Sequence, residues 1–180
     1  MKINKTFIED LLIIEPQLFK DERGFFYESY NKNNLDKVVN VVFVQDNESK
    51  SKKGVVRGLH FQSPPFEQTK LVRCVSGKIL DVVVDLRTNS KTYGKSFSVE
   101  LSSENNKQLF VPKGFAHGFQ ALSEEAIVNY KVDNLYYPKS DSGIIWNDKY
   151  LSIDWNPDIK PIISIKDLKL ISFKELKSPF

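Results

Sequence analysis

Ala126-Ile-Val-Asn-Tyr-Lys-Val132 is the stretch of the sequence that says most about the fold. Apolar and other residues alternate along it, so Ala126, Val128, Tyr130 and Val132 fall on one face of an extended strand. Residues 96–101 alternate in the same way. Many short strands with turns between them are typical of an all-β sandwich or barrel, and a jelly roll is one member of that class.

Other segments extend this pattern. Val41–Val44 and Ile79–Val84 are compact apolar runs, which we predict to be buried strands. Helical patterns are confined to short stretches near Asn33–Val38 and Lys166–Leu170. No repeat, low-complexity tract or linker divides the chain, so we expect a single jelly-roll β-barrel domain over residues 1–180, with a few short helices.

The composition excludes several classes of protein. With 41% hydrophobic and 27% charged residues the chain has an ordinary globular mix, and no apolar run approaches the roughly 18 residues of a membrane span. Polar residues break the first ten positions too soon for a signal peptide. The net charge of +3 is small and its lysines are scattered, so no nucleic-acid partner is expected. The single cysteine, Cys74, excludes a disulfide framework and makes a reducing cytoplasm the expected location.

Both histidines of the chain stand in motif-like stretches. His60 lies in Arg57-Gly-Leu-His-Phe-Gln62 and His117 in Pro112-Lys-Gly-Phe-Ala-His-Gly118. The second stretch resembles the second motif of the cupin superfamily of small jelly-roll barrels. Metal-binding cupins carry His-x-His and a glutamate in their first motif, whereas here Gln62 replaces one imidazole. We therefore expect no metal site, although two core histidines bonded to backbone groups remain an alternative.

Without a metal, His60 suits a general base, which needs an acid to steady its charged form. Asp81, Asp85 and Asp167 are the candidates, all in or near apolar surroundings. Ser164-Ile-Lys-Asp167 also matches a helix capping box, and spacing alone slightly favours that structural interpretation.

Other side chains carry two or more interpretations each. Tyr130 suits a proton donor inside the barrel or a core aromatic, and Lys70 suits a partner for an enolate oxygen or, more simply, a surface lysine. Gln45 and Asn47 share one face of their strand, where they would bind a base or sugar or face solvent. The aromatic cluster Phe25-Phe26-Tyr27 suits nucleobase stacking, core packing or a dimer contact.

Further segments occur in a recognisable order along nearly the whole chain. They are Asp21-Glu-Arg-Gly-Phe-Phe-Tyr-Glu28, Val44-Gln-Asp-Asn47, Gly54-Val-Val-Arg-Gly-Leu-His-Phe-Gln62, Lys70-Leu-Val-Arg73, Asp81-Val-Val-Val-Asp-Leu-Arg87, Val111-Pro-Lys-Gly-Phe-Ala-His-Gly-Phe119, Tyr130-Lys131, Trp146-Asn-Asp148 and Ser164-Ile-Lys-Asp167. Together they resemble the dTDP-4-dehydrorhamnose 3,5-epimerase family.

The resemblance implies a reaction and its catalytic residues. A member of this family would convert dTDP-4-keto-6-deoxy-D-glucose to dTDP-4-keto-L-rhamnose, with no metal or organic cofactor. His60 would remove the protons at C5 and C3, and Asp167 would pair with it. Tyr130 would return a proton from the other face, and Lys70 would stabilise the enolate.

The resemblance also implies a set of substrate contacts in a homodimer. Arg23 and Glu28 would reach the nucleotide from the neighbouring subunit, and Tyr136 would stack on thymine. The remaining contacts would be Gln45, Asp46, Asn47, Arg57, His117, Asp141 and Lys166. At Asp141 the family often has a glutamate, which is one methylene longer. Arg57 and His60 have opposite strand parity, so both face the ligand only if Gly58 lies in a bend or bulge.

Three other functions remain open at this point. A related enzyme would epimerise C3 alone or isomerise the keto group along the ring. A metal-dependent cupin enzyme would need ligands beyond His60 and His117. A sugar-nucleotide-binding module without catalysis would tolerate the loss of His60, Lys70 and Tyr130.

Overall fold

The computed structural model describes residues 1–180 and consists almost entirely of β-strands. None of its helices is long and apolar enough to cross a membrane. The strands are β1 (Lys2–Lys5), β2 (Leu12–Glu15), β3 (Phe19–Asp21), β4 (Gly24–Phe26), β5 (Gln45–Lys52), β6 (Val55–Gln62), β7 (Lys70–Ser76), β8 (Lys78–Asp85), β9 (Ser96–Ser102), β10 (Gln108–Val111), β11 (Phe115–Ala121), β12 (Glu125–Val132), β13 (Asp141–Gly143) and β14 (Ile162–Ile163). The helices are α1 (Lys32–Leu35) and a 3₁₀ turn (Asp167–Lys169).

Two large sheets form the body of the fold. The first has the strand order β1-β2-β10-β7-β12-β5, and the second β13-β6-β11-β8-β9 with β14 added beside β6. Strands that follow one another in the sequence often lie in different sheets, as β6, β7 and β8 do. This exchange between two antiparallel sheets is typical of a jelly roll, and the prediction of an all-β, cupin-like fold is confirmed.

The inner faces of the sheets make the main core. Val72 and Val128 of the first sheet belong to one buried cluster with Ile79, Val83 and Phe119 of the second. The other face of the second sheet is also covered, because the C-terminal part of the chain packs on it. Strand β8 is therefore buried on both faces, which explains why its apolar residues are interrupted only by Asp81.

The strands predicted at residues 79–84, 96–101 and 126–132 are confirmed as β8, β9 and β12. The strand predicted at Val41–Val44 is wrong. This segment is irregular, and the side chains of Val42 and Val44 are 60% and 53% exposed. Phe43 instead packs on a small cluster with Tyr30, so apolar contacts on one side hold the segment without a strand ladder.

Strand β6 bends where the sequence requires it. On β11, His117 lies opposite His60 and Phe119 opposite Arg57, so three steps along β6 match two along β11. Gly58 has a φ of +120°, and a Cβ atom there would lie 2.6 Å from the Cα of Gly118. The predicted irregularity at Gly58 is confirmed, and it turns both Arg57 and His60 toward one cavity.

We predict that Gly58→Ala destabilises the protein by about 2–3 kcal/mol, because the new methyl group meets the backbone of β11 and the residue keeps a positive φ. Gly24→Ala is the matched control, since its φ is +129° but no atom lies within 4 Å of the added carbon. That control should cost only about 1 kcal/mol. Urea unfolding measures both changes, and equal losses would mean that the close contact with β11 contributes nothing.

Candidate active site

A cavity of about 530 Å³ opens between the two sheets. Strands of both sheets and the segment before the 3₁₀ turn contribute to its wall. The polar lining consists of Ser49, Arg57, His60, Lys70, His117, Tyr130, Ser164, Lys166 and Asp167. Seven of the side chains singled out in the sequence therefore surround one space: His60, Lys70, Tyr130, Asp167, Arg57, His117 and Lys166.

His60 pairs with Asp167 across 107 positions of sequence. The Nε2 atom of His60 lies 2.7 Å from Oδ1 of Asp167, and the aspartate side chain is only 5% exposed. The backbone N–H of Asp167 donates to the hydroxyl of Ser164 at 3.0 Å, which is the capping contact. The carboxylate itself turns to His60, so the Ser164–Asp167 pattern supports both a turn and a histidine partner.

Burial governs the charge of this imidazole. Desolvation in the cavity wall lowers the pKa of His60, and the hydrogen bond and charge of Asp167 only partly oppose it. A lowered pKa keeps the ring neutral near physiological pH. The pair can therefore accept a proton at His60 and stabilise the resulting imidazolium through Asp167.

Lys70 is buried, so the expectation of a surface lysine is wrong. It begins β7, which runs between β10 and β12 in the first sheet. Burial lowers the pKa of Lys70 to about 8, while the charges of Asp81 and Asp141 oppose the shift. Its ammonium group lies 5.9 Å from the ring centroid of Tyr130, which places a cation beside that phenol.

Tyr130 stands on the cavity face of β12, as its alternation predicted. Burial raises the pKa of Tyr130, so the phenol keeps its proton at neutral pH and can donate it. His60 belongs to the second sheet and Tyr130 to the first, so the two groups approach the cavity from opposite sheets. This is the arrangement that removal and return of a proton on two faces of a ring requires.

The second histidine is also held by an aspartate. Nε2 of His117 lies 2.9 Å and 3.0 Å from the two carboxylate oxygens of Asp81, and both residues are buried. Asp85, the third candidate partner, instead accepts from Arg87, Ser90 and Thr92 in a turn. The chain contains no group of three or more histidine, cysteine, aspartate or glutamate side chains arranged to hold a metal ion.

Strand β5 carries the predicted amides, but Gln45, Asp46 and Asn47 do not themselves line the cavity. Gln45 donates through its amide nitrogen to Oδ1 of Asn47 at 2.8 Å, and Asn47 lies opposite Tyr130 in the ladder. Asp46, which points the other way, accepts from Lys131 at 2.8 Å. Arg57 donates to the hydroxyl of Ser51 at 3.1 Å, which steadies the guanidinium at the edge of the cavity.

Tyr136, Asp141 and Lys166 form one hydrogen-bonded group, of which only Lys166 lines the cavity. The hydroxyl of Tyr136 donates to Oδ2 of Asp141 at 3.1 Å, and Nζ of Lys166 lies 2.5 Å from the same oxygen. Gln45 accepts from the backbone N–H of Tyr136 at 3.2 Å. Tyr136 is thus held by hydrogen bonds at its backbone N–H and at its hydroxyl, although the residue is 53% exposed.

Arg23 and Glu28 are not brought to this cavity within the chain. Arg23 pairs with Asp21 on the β3–β4 hairpin, and its side chain is 85% exposed. Glu28 lines a different cavity of about 400 Å³ and accepts from Asn31 at 3.0 Å.

Sequence reasoning missed two serines of β5. Ser49 lines the cavity with a buried hydroxyl that has no hydrogen-bond partner, and Ser51 supports Arg57. Both share a strand face with Gln45 and Asn47, so the period-two rule could have found them.

The sequence profile of the dTDP-4-dehydrorhamnose 3,5-epimerase family matches residues 5–175. The epimerase of that name from Escherichia coli K12 is 51% identical over 178 residues, which is 98% of this chain and 96% of the relative. Among solved structures, the family's enzyme from Elizabethkingia anophelis superposes with a TM-score of 0.93 at 50% identity, covering 99% of this chain and 98% of that one.

A third comparison includes a ligand. The dTDP-6-deoxy-D-glucose-3,5-epimerase of Legionella pneumophila, solved in complex with dTDP-4-keto-L-rhamnose, superposes with a TM-score of 0.94 at 44% identity. The match covers 97% of this chain and 94% of that one. Full-length similarity of this degree shows that the chain belongs to the dTDP-4-dehydrorhamnose 3,5-epimerase family.

Proposed function

We propose that this protein converts dTDP-4-keto-6-deoxy-D-glucose to dTDP-4-keto-L-rhamnose by inverting C3 and C5. The observation that carries the proposal is the His60–Asp167 pair, which faces Tyr130 across one cavity beside the buried Lys70. The family's relatives are named for this activity, and one of them holds the product in its structure.

The chemistry follows from the acidity of a C–H bond beside a ketone. Neutral His60 takes the proton from C5, and the electron pair of that bond moves into an enolate whose oxygen was the C4 ketone. The ammonium of Lys70 stabilises this oxyanion in a cavity that excludes most water. Tyr130 then gives its proton to the opposite face of C5 and the ketone re-forms. His60 then releases its proton to solvent and Tyr130 takes one up, so that the same exchange at C3 completes the product with no change in composition.

The nucleotide would occupy the mouth. Arg57 is suited to the diphosphate because its planar guanidinium offers several donors to phosphate oxygens. Gln45, Asp46 and Asn47 lie on the strand that leads to the rim, and Tyr136 offers an exposed, anchored ring for thymine. His117 and Lys166 would complete the substrate contacts from inside the cavity and from its edge.

We further propose a homodimer in which Arg23 and Glu28 serve the neighbouring subunit's site. Neither residue lines the cavity of its own chain. The hairpin that carries Arg23 also exposes Phe19, Phe25 and Phe26, each more than half accessible. Contiguous exposed aromatic rings are common at interfaces between subunits.

Burial also supports a location and a domain organisation. The only cysteine, Cys74, is buried and unpaired, which suits the reducing cytoplasm. The C-terminal residues Trp155 and Phe173 share a buried cluster with Val82 and Val84 of β8, which supports one domain over residues 1–180.

We predict that His60→Ala abolishes solvent exchange at both carbons while nucleotide affinity stays nearly unchanged. The loss should be at least about 10²-fold, which is typical for removal of a general base. Proton NMR of the sugar in deuterated water measures exchange, and calorimetry with dTDP measures binding. Turnover at the wild-type rate would remove His60 from the mechanism.

Tyr130→Phe removes only the phenolic hydroxyl, so the ring still fills its place in the cavity. We expect proton return to suffer more than proton removal, because His60 remains intact. The wash-out of a deuterium label from substrate, compared with the rate of product formation, separates the two steps. Equal losses in both would identify the tyrosine as mainly structural.

The pH dependence should reflect Lys70. Because its pKa is about 8, the ammonium that stabilises the enolate is lost as the pH rises through that value, and the rate should fall. Lys70→Arg keeps a cation at higher pH and should move the alkaline limb upward, although at a lower maximum rate. A wild-type rate that stays flat to about pH 10, where an ordinary lysine titrates, would contradict this role.

Subunit mixing tests the dimer. His60→Ala and Arg23→Ala homodimers should each be nearly inactive. A heterodimer of the two contains one site with an intact His60 and an intact Arg23 from its partner. Random reassortment should therefore restore about a quarter of the wild-type activity. No recovery in mixtures shown by mass spectrometry to contain heterodimers would refute a shared site.

A further inference from the structure

Asp141 is the position at which this chain departs from the glutamate that the family often carries. It begins β13, which pairs with β6 so that Asp141 lies opposite Gln62 and Gly143 opposite His60. Its side chain is 15% exposed and accepts at Oδ2 from Tyr136 and from Lys166. The shorter carboxylate is thus already held by two side chains of its own chain.

Lys166 directly precedes Asp167, the partner of His60. The segment that carries both residues is held at three points: Ser164 accepts from the N–H of Asp167, Asp167 bonds to His60, and Lys166 bonds to Asp141. The first contact lies within the segment, and the other two reach β6 and β13. Because β6 and β13 are neighbours, the Asp141–Lys166 pair helps fix how Asp167 meets His60.

We propose that Asp141 is a positioning residue, which through Lys166 holds Asp167 against His60 and places its carboxylate at the edge of the cavity that His60 and Lys70 line. This inference rests on the proposed function, in which those two groups are the base and the oxyanion partner. It assigns Asp141 a role exerted through protein groups, beside the contact with the sugar nucleotide that the family resemblance implies.

The charge of Asp141 shifts the pKa values of His60 and Lys70 in the same direction. Burial is the main influence and lowers the pKa of both His60 and Lys70. The charge of Asp141 raises both pKa values, adding to Asp167 at His60 and to Asp81 at Lys70.

Other charges also face these groups. Lys70 lowers the pKa of His60. At Tyr130, where burial raises the pKa, Asp141 raises it further and Arg57 lowers it. Lys166 is the cation nearest Asp141. Loss of the Asp141 charge should therefore lower the pKa values of base and lysine together.

The first test titrates His60 by NMR and requires no turnover. The chain has only two histidines, so the ring resonances of His60 can be assigned with His60→Ala, and His117 serves as an internal reference. Asp141→Asn should lower the pKa of His60, and Asp141→Glu should leave it in place. Glu124→Gln removes the carboxylate of a surface pair with Lys53 outside the cavity and should change nothing. An unchanged His60 titration in Asp141→Asn would overturn the inference.

The second test uses the pH profile of kcat/KM for sugar exchange, whose limbs report the free enzyme. In Asp141→Asn both limbs should move to lower pH and kcat should fall about tenfold. A uniform loss of rate with both limbs in place would overturn the inference, because a merely structural defect acts in that way. Asp141→Glu should keep both limbs.

Lys166→Met breaks the Asp141–Lys166 ion pair by removing the cation instead of the carboxylate. The side chain of Lys166 is 64% exposed, so its replacement should not prevent folding. A positioning role predicts a fall in kcat. A rise in KM alone would mean that Lys166 only contacts substrate and would overturn the link to Asp167. If the wild-type enzyme failed to exchange the sugar protons, the proposed function would fail, whereas the NMR titration would still decide the role of Asp141.

Discussion

Strands β6 and β11 pass so closely at Gly58 and Gly118 that a Cβ atom at either position would meet the backbone of the other strand. The register shift at this crossing is what allows Arg57 and His60, of opposite strand parity, to face the same cavity. The remaining machinery is arranged around that fixed imidazole. Asp167 reaches it from the C-terminal segment, and Tyr130 faces the cavity from the other sheet.

Burial then sets the chemistry of each group. The same low-dielectric wall that keeps His60 neutral keeps Tyr130 protonated and brings the pKa of Lys70 to about 8. A base, an acid and a cation thereby coexist at neutral pH although they surround one space. Carboxylates partly oppose the lowering of the pKa values of His60 and Lys70 by burial. Asp167 acts on His60, Asp81 on Lys70, and Asp141 on both.

The sequence pattern predicted strands with one or both faces buried. Burial on both faces gives the mostly apolar run of β8, and burial on one face favours the alternation of β12. The pattern failed at Val41–Val44, where only Val44 bonds to a strand, through its N–H to the carbonyl of Val132, since composition cannot report hydrogen-bond partners. Residue spacing alone also could not predict that Asp167 pairs with His60 instead of only capping a helix, or that Lys70 is buried. Both depend on contacts between residues that are distant in sequence. The family resemblance implied the catalytic roles of Asp167 and Lys70. The opposite strand parity of Arg57 and His60 required a bend at Gly58, and the structure contains it.

In the proposed reaction one base, held in one cavity, acts at two carbons on either side of a ketone. The most direct measurement is incubation of the wild-type protein with dTDP-4-keto-6-deoxy-D-glucose in deuterated water without a reductase, followed by mass spectrometry and proton NMR. We expect deuterium at both C3 and C5. Deuterium at C3 alone would contradict double epimerisation and indicate a mono-epimerase, and no exchange despite tight dTDP binding would indicate a binding module instead of an enzyme.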